Sequence, residues 1–352
     1  MKAARLHAFG GPDGFRIDDV PVPEPGPGEV VVQVGGASIN FFDTEIRAGL
    51  IPNLPLPLTQ GMDCAGTIAT VGQGVAPTRV GEQVVVYPIL VCRNCAACVG
   101  GFENRCENRG YIGISIPGTY AEYVRVPAEN AIPFSGLSMA EAASVPLPFI
   151  TAWHLLRRRA QIGPGQTLLV MGAGGGVGTA AVQIGKLLGA RVFAATSGPD
   201  KADRLAQLGA DAVFDYRTGD PWDEARACTG GRGVDFILDN GGSETVTRSM
   251  NGLAGGGTLL ICGSLTGDVA ADFNVRTLYF NSLSVIGSSA GTRADLRAVI
   301  EAMQRAALRP IVDRTLPLEE VGQAHQALLS NQKFGNVVLV PEATTRPEEV
   351  RT

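Results

Sequence analysis

Residues 167–190 read TLLVMGAGGGVGTAAVQIGKLLGA and indicate the fold class of this chain. A short apolar run, typical of a strand, passes through a glycine-rich turn into a run typical of a helix. Ala173, Gly175 and Gly178 fill the three places of the Gly-x-Gly-x-x-Gly turn that binds dinucleotides, with Ala in the first place. A flexible turn is the simpler interpretation, but the strand before it and the helix after it favour a dinucleotide site. The candidate cofactor contacts in the turn are Gly174, Gly175, Gly176, Val177 and Gly178.

Apolar runs of strand length alternate with helical segments from this turn to about residue 290. Five further runs follow the first, beginning with RVFAAT and ending with LSVIGSS. Six such runs predict a parallel sheet covered by helices on both faces. The first 130 residues instead read as short β-segments separated by turns. We therefore expect an α/β chain with a β-rich domain at residues 1–140, a doubly wound domain at 141–290 and a return to the first domain at 291–352.

The composition is that of a globular chain with room for two domains. Of its 352 residues 45% are hydrophobic and 18% charged, and the formal net charge is −5. The sequence contains no long basic cluster that would indicate nucleic-acid binding. It also contains no run of about 18 apolar residues that would indicate a membrane span. The first residues lack the apolar segment of a signal peptide. These features predict a cytoplasmic protein that acts on a small-molecule substrate.

The end of the second apolar run indicates which cofactor the site prefers. An NAD-binding domain places Asp or Glu there to bind the ribose hydroxyls. RVFAAT ends at Thr196, and Ser197 follows without a carboxylate. Lys201 and Ser197 could instead bind a 2′-phosphate, and Tyr216, after the third run, could pack against the same phosphoribose. The sequence therefore favours NADPH over NADH.

Four cysteines within fifteen residues form the second motif. Cys92, Cys95, Cys98 and Cys106 have the spacing of a metal site in a loop over residues 91–108. Four thiolates close a tetrahedral shell around Zn²⁺ and leave no position for substrate, so the role would be structural. An iron–sulfur centre is the competing metal site.

Along most of its length the chain resembles the medium-chain dehydrogenase/reductase superfamily. The resemblance rests on GEQVVVYP, the cysteine loop, residues 167–190 and the ending KFGNVVL. The cysteine loop is similar to that of zinc-dependent alcohol dehydrogenases, whereas residues 167–190 and SINFFDTEIRAGL are more similar to quinone oxidoreductases. The resemblance implies a GroES-like substrate domain, a Rossmann cofactor domain, an active site between them and a homodimer paired through LSVIGSS. It adds Thr151, beside the nicotinamide, and Asn336 to the candidate cofactor contacts.

One departure from the zinc alcohol dehydrogenases bears on the reaction. Those enzymes hold a catalytic zinc with a Cys, the His of a Gly-His-Glu motif and a second Cys. The matching positions here are Asn40, Met62 and Leu147, none of which offers a thiol or an imidazole. Without a Lewis acid, we expect reduction of a quinone or an activated C=C bond, whose own conjugation delocalises the incoming charge. An NADP-dependent carbonyl reductase or alcohol dehydrogenase, and a non-catalytic NADPH-binding protein, stay open as alternatives.

The candidate catalytic residues lie at the lost metal position. Asn40 offers an amide donor there, and Asp43 could orient it or relay a proton. A hydrogen-bonded turn without catalytic role is the competing interpretation of this pair. Asp63, at the acidic place of the lost motif, is expected either to bind substrate or to cap a turn.

Overall fold

The computed structural model describes residues 1–330 and 332–342. The strands of the N-terminal part are β1 (Lys2–Leu6), β2 (Phe15–Asp19), β3 (Glu29–Ile39), β4 (Leu58–Thr59), β5 (Asp63–Val71), β6 (Gln83–Val86), β7 (Ile89–Leu90), β8 (Gly110–Tyr111), β9 (Tyr123–Pro127) and β10 (Ala131–Pro133). Its helices are α1 (Phe41–Ala48), α2 (Ala96–Val99), α3 (Met139–Ala143) and α4 (Pro146–Trp153), the last continued by π-helical turns over His154–Arg159.

The middle part alternates strands and helices. These are β11 (Thr167–Val170), α5 (Gly176–Leu187), β12 (Arg191–Thr196), α6 (Pro199–Gln207), β13 (Ala212–Asp215), α7 (Pro221–Cys228), β14 (Val234–Asp239), α8 (Val246–Gly252), β15 (Leu253–Ile261), α9 (Val275–Phe280) and β16 (Ser284–Gly287). The C-terminal elements are α10 (Arg293–Gln304), β17 (Val312–Pro317), α11 (Val321–Leu329) and β18 (Asn336–Val340).

The six strands β11 to β16 form one sheet in the order β13-β12-β11-β14-β15-β16. Every neighbouring pair is parallel. This order is the doubly wound order of dinucleotide-binding domains, and it leaves the first strand, β11, in the centre. The predicted α/β fold with a parallel Rossmann-type sheet is confirmed.

Five of the N-terminal strands form a separate sheet that the end of the chain completes, and its pairs are antiparallel except for β17 with β18. Its order is β10-β6-β5-β3-β18-β17, with β9 also paired to β3. The chain re-enters this sheet at Val312. Helix α10, which precedes that point, packs against α4 instead. His154 Nδ1 and Asp295 Oδ2 of these two segments lie 2.7 Å apart in the interior.

The two units share a core and meet at the glycine-rich turn. One buried apolar cluster includes Val85 and Tyr87 of the first sheet region together with Leu168 and Leu260 of the second. At the turn, Gly335 N donates to Gly174 O over 2.9 Å. The segment before β18 is thereby held against the turn between β11 and α5. Within the described part of the chain, no helix has both the length and the apolar character needed to cross a bilayer.

Candidate active site

Two adjoining cavities are lined by residues from both units. The loop cavity, of about 280 Å³, lies over the glycine-rich turn and is bordered by Thr196, Lys201, Tyr216, Lys333 and Asn336. The α1 cavity, of about 270 Å³, is bordered by Phe41, Phe42, Glu45, Met62, Leu147 and Thr151. The residues that line both, and so mark where they meet, are Asn40, Phe41, Val177, Asn240 and Leu265.

The glycine-rich turn brings α5 unusually close to β11. A Cβ on Gly178 would lie 2.5 Å from the carbonyl oxygen of Gly172, so a larger residue would push the helix away. A Cβ on Gly176 would overlap Oδ1 of Asn336. Helix α5 begins at Gly176, and the residues at its N-terminus border the loop cavity, where N–H groups without partners inside the helix could bind an anion. The predicted contacts Gly174, Gly175, Gly176 and Val177 line this cavity, whereas Gly178 supports it from behind.

Basic side chains converge on the loop cavity. Lys201 Nζ donates to Ser197 Oγ over 3.3 Å, which joins two of the predicted phosphate contacts. Lys333 Nζ lies 3.8 Å from the Cβ position of Gly175. Burial, together with the charge of Lys201, lowers the pKa of Lys333 to about 8. The ammonium groups of Lys201 and Lys333 border the same cavity and repel each other. Such a pair suits an anionic ligand such as a cofactor phosphate.

Sequence reasoning missed Lys333 because it precedes β18, more than 150 residues along the chain from the glycine-rich turn. Only the pairing of Gly335 with the turn places it there. The signal that could have found Lys333 is its position in KFGNVVL, one of the segments on which the family resemblance rests. Asn336, predicted from the same segment, borders the loop cavity, and so does Tyr216, which is 41% exposed.

The tip of β12 carries no carboxylate of its own, but one reaches it from β13. Asp215 Oδ2 accepts a hydrogen bond from Gly198 N over 2.9 Å. The same oxygen lies 3.3 Å from Arg217 in an ion pair. The sequence predicts that the tip of β12 lacks a carboxylate. This prediction is wrong, because the folded chain brings Asp215 of β13 to that tip. Hydrogen bonds to the backbone and to Arg217 lower the pKa of Asp215, and they use the oxygens that would otherwise bind a ribose.

Asn40 and Asp43 cap the first turn of α1. Asn40 N donates to Asp43 Oδ2 over 2.8 Å, in a reciprocal capping arrangement. Asp43 is fully buried and borders neither cavity, and burial raises its pKa to about 7. The hydrogen-bonded turn therefore exists, and Asp43 can influence a substrate only through Asn40. Asn40 itself lies where the two cavities meet.

Asp63 links two of the positions that resemble metal-ligand positions. Its Oδ2 accepts a hydrogen bond of 3.0 Å from Asn40 Nδ2, and its two oxygens lie 3.1 and 3.0 Å from Leu147 N. The carboxyl is completely buried, which raises its pKa to about 8. Asp63 borders neither cavity, and its contact with Leu147 N caps the first turn of α4, so the capping role is the one that the structure shows.

Met62 and Leu147 face the same cavity as Asn40, so the three positions converge as the resemblance implies. Cys64, next in sequence to Asp63, lies in the core of the first sheet. Thr151 also borders the α1 cavity, and its hydroxyl donates to Leu147 O over 2.7 Å. Among the residues that the structure describes, no group of three or more possible ligands surrounds this point.

The four predicted cysteines do form a metal-binding arrangement. Their sulfur atoms all lie within 4.8 Å of one another. Measured sulfur–sulfur distances are 4.0 Å for Cys92–Cys98, 3.9 Å for Cys95–Cys106 and 3.4 Å for Cys92–Cys106. A tetrahedral ion with bonds of about 2.3 Å requires about 3.8 Å, so the set fits one zinc. A cluster of several irons would need thiolates on different metal atoms and thus farther apart.

Comparison with known proteins identifies the family. Two family models match, "Alcohol dehydrogenase GroES-like domain" over residues 26–136 and "Zinc-binding dehydrogenase" over residues 176–305. An NAD-dependent alcohol dehydrogenase of Sulfurisphaera tokodaii is 32% identical over 97% of this chain and 100% of its own length. The chain belongs to the medium-chain dehydrogenase/reductase superfamily.

Solved structures of this superfamily superpose closely on the chain. A crystal structure of an NAD-dependent alcohol dehydrogenase gives a TM-score of 0.92 at 37% identity and covers 97% of this chain and 99% of that one. The Escherichia coli quinone oxidoreductase complexed with NADPH gives 0.83 at 27% identity, with coverage of 97% and 100%. The match confirms the GroES-like domain and the resemblance. As a medium-chain dehydrogenase/reductase, the protein is an oxidoreductase of the class that uses NAD(P).

Proposed function

We propose that this chain is an NADPH-dependent reductase of quinones or of activated C=C bonds, such as those of enones and enals, that works without a catalytic zinc. The observation that carries the proposal is the make-up of the reaction centre. Asn40, Met62 and Leu147 converge there with an amide, a thioether and an aliphatic group. None of these is a zinc ligand of the usual kind. A substrate that delocalises incoming charge by itself needs only hydrogen bonds at this point.

The residues of the loop cavity fit a nicotinamide dinucleotide. The glycine-rich turn and the N-terminus of α5 would hold the pyrophosphate, with Lys333 beside Gly175 and Asn336 beside Gly176. The cofactor supplies a hydride when it is bound. Val177 borders the point where the two cavities meet and Thr151 borders the α1 cavity, and both would position the ring that carries the hydride.

Asn40 provides the polar group for the reacting end of the substrate. Its carboxamide is buried, is oriented by Asp63 and lies at the junction of the cavities. An amide N–H there would donate to a substrate oxygen as negative charge builds on it. The substrate carbon that remains takes a proton from water, since none of the five side chains shared by the two cavities carries an ionisable group.

The basic groups around the loop cavity support NADPH over NADH. Lys201 and Ser197 border the ribose end, and Arg217 lies beside Gly198 at the tip of β12. Burial and repulsion from Arg217 lower the pKa of Lys201, and a 2′-phosphate would offset that repulsion, whereas NADH carries no such group. The similar quinone oxidoreductase of Escherichia coli is complexed with NADPH, which points the same way.

The names of the relatives favour a second candidate, an alcohol dehydrogenase or carbonyl reductase. The relative with 32% identity and the structure with a TM-score of 0.92 are both named NAD-dependent alcohol dehydrogenases. A screen of NADPH and NADH oxidation with quinones, enones, enals and ketones separates the candidates. Faster turnover of quinones or enones supports the proposed reductase, and faster turnover of ketones supports the second candidate. Tight NADPH binding without oxidation of any acceptor would indicate a non-catalytic binding protein.

The proposal includes a homodimer paired through β16. Among the described residues, this strand pairs with β15 alone, and Val285 on it is exposed. Tyr279 and Phe280 of the adjacent α9 are 66% and 73% exposed. An apolar sheet edge of this kind invites pairing, and a second copy would cover it.

A further inference from the structure

The wall of the α1 cavity contains one charged side chain, and its charge is negative. Among the residues that the structure describes, the lining includes no Lys, Arg or His, and Glu45 is its sole carboxylic acid. Phe41, Phe42, Met62 and Leu147 make much of the remaining wall apolar. An acceptor that enters this cavity meets that single charge without a compensating cation.

The fold of α1 directs Glu45 into the cavity. Phe41 begins the helix, and Glu45 follows one turn later, so the two side chains share a face. Glu45 is half-buried, and no basic side chain in the described part of the chain forms an ion pair with it. Burial is also the main reason that its pKa is raised.

A second carboxylate approaches from the other unit. Asp268 lies in the segment after β15 and is exposed. Its Oδ1 accepts a hydrogen bond of 2.5 Å from Ser264 Oγ, and Ser264 borders the cavity. Asp268 is close enough to Glu45 to raise the pKa of that carboxyl further by charge repulsion. The negative potential at this side of the cavity therefore comes from both units.

We propose that the α1 cavity accepts uncharged or cationic substrates and rejects those that carry a carboxylate beside the reacting bond. The inference rests on the proposed function, in which this cavity holds the substrate. A carboxylate that enters would lose its hydration, find no cation and face Glu45. Neutral organic acceptors would lose little, because the aromatic and aliphatic walls suit them.

Binding of a matched set of unreactive ligands tests the inference. We would titrate the protein with saturating NADP⁺ by calorimetry, using 3-phenylpropanamide, 3-phenylpropanoate and 3-phenylpropylamine. The amide should bind about ten-fold or more tightly than the carboxylate, and the amine at least as tightly as the amide. In Glu45→Gln, the ratio of amide to carboxylate affinity should fall about ten-fold. Asp19→Asn removes an exposed acid of β2 outside the cavity and should keep the original ratio.

Equal affinity for the amide and the carboxylate, an unchanged ratio in Glu45→Gln, or failure of the amide to bind would overturn the inference. Because these ligands bind without hydride transfer, the result does not depend on which acceptor is reduced. If the protein reduces ketones faster than enones, the proposed function is wrong. The affinities for the amide, the carboxylate and the amine still decide whether the cavity rejects a carboxylate.

Discussion

Asn40 and Asp63 form a buried hydrogen bond, in which Asn40 Nδ2 lies 3.0 Å from Asp63 Oδ2. The same carboxyl group accepts the backbone N–H of Leu147. One acid thus joins two of the positions at which the resemblance to zinc alcohol dehydrogenases implies metal ligands. Hydrogen bonds to Asp63 hold these segments together and fix the Asn40 carboxamide at the junction of the two cavities.

This relationship predicts that the rate of reduction depends on the protonation of Asp63. Burial raises the pKa of Asp63 to about 8, so the group is protonated below that pH and ionised above it. An ionised Asp63 engages one of the two Asn40 N–H groups and places a negative charge near the developing oxyanion, whereas a protonated one donates to the Asn40 oxygen and leaves both N–H groups for substrate. We therefore expect kcat for an enone to fall about ten-fold or more as pH rises from about 6 to about 9.5.

The measurement is a pH profile of kcat at saturating NADPH. Saturation matters because Lys333, whose pKa is lowered to about 8, loses charge over the same range and should change KM for the cofactor instead. Asp63→Asn should remove the decline in kcat. A variant that keeps the decline would show that another group is responsible.

Lys201 and Lys333 should differ in their effect on the two cofactors. Lys201→Ala should weaken NADPH binding about ten-fold or more and NADH binding little, because only NADPH carries the 2′-phosphate. Lys333→Met should weaken both, since Lys333 lies beside Gly175 at the pyrophosphate end. Fluorescence titration measures both constants, with Lys2→Ala, an exposed lysine paired with Glu319, as the control. Equal losses in Lys201→Ala would remove that lysine from the 2′-phosphate site.

The cysteine site should hold about one zinc per chain by elemental analysis. Cys106→Ser removes the buried ligand and should abolish zinc binding and lower the thermal midpoint, because the loop loses its cross-link. Cys228→Ser, at an exposed cysteine outside the cluster, is the matched control. Brief chelation should leave kcat unchanged while the fold persists. Two zinc ions per chain, or loss of rate on chelation, would contradict the metal-free reaction centre.

The exposed edge of β16 should carry the dimer contact. Val285→Lys places a charge on that edge and should shift sedimentation from a dimer to a monomer. Val80→Lys, at a valine that is 50% exposed away from β16, should leave the dimer intact. If the wild-type chain sediments as a monomer, the predicted pairing is wrong.

Features whose parts are close together along the chain could be predicted from the sequence. The turn at residues 172–178 and its flanking strand and helix predict the cofactor domain, because glycine spacing and strand length are local properties. The zinc site is predictable for the same reason, since all four ligands fall within fifteen residues. The absence of catalytic zinc ligands could be recognised only through the family resemblance, because it identifies the positions to compare.

Contacts between distant side chains became visible only in the folded chain. Pairing of Gly335 with the glycine-rich turn brings in Lys333, and the tip of β13 brings Asp215 to β12. Asp63 reaches Asn40 and Leu147 only because β5, α1 and α4 converge. Such contacts depend on sheet order and on the direction of each buried side chain. Sheet order and side-chain direction both depend on how the whole chain packs. Local sequence patterns therefore did not predict these contacts.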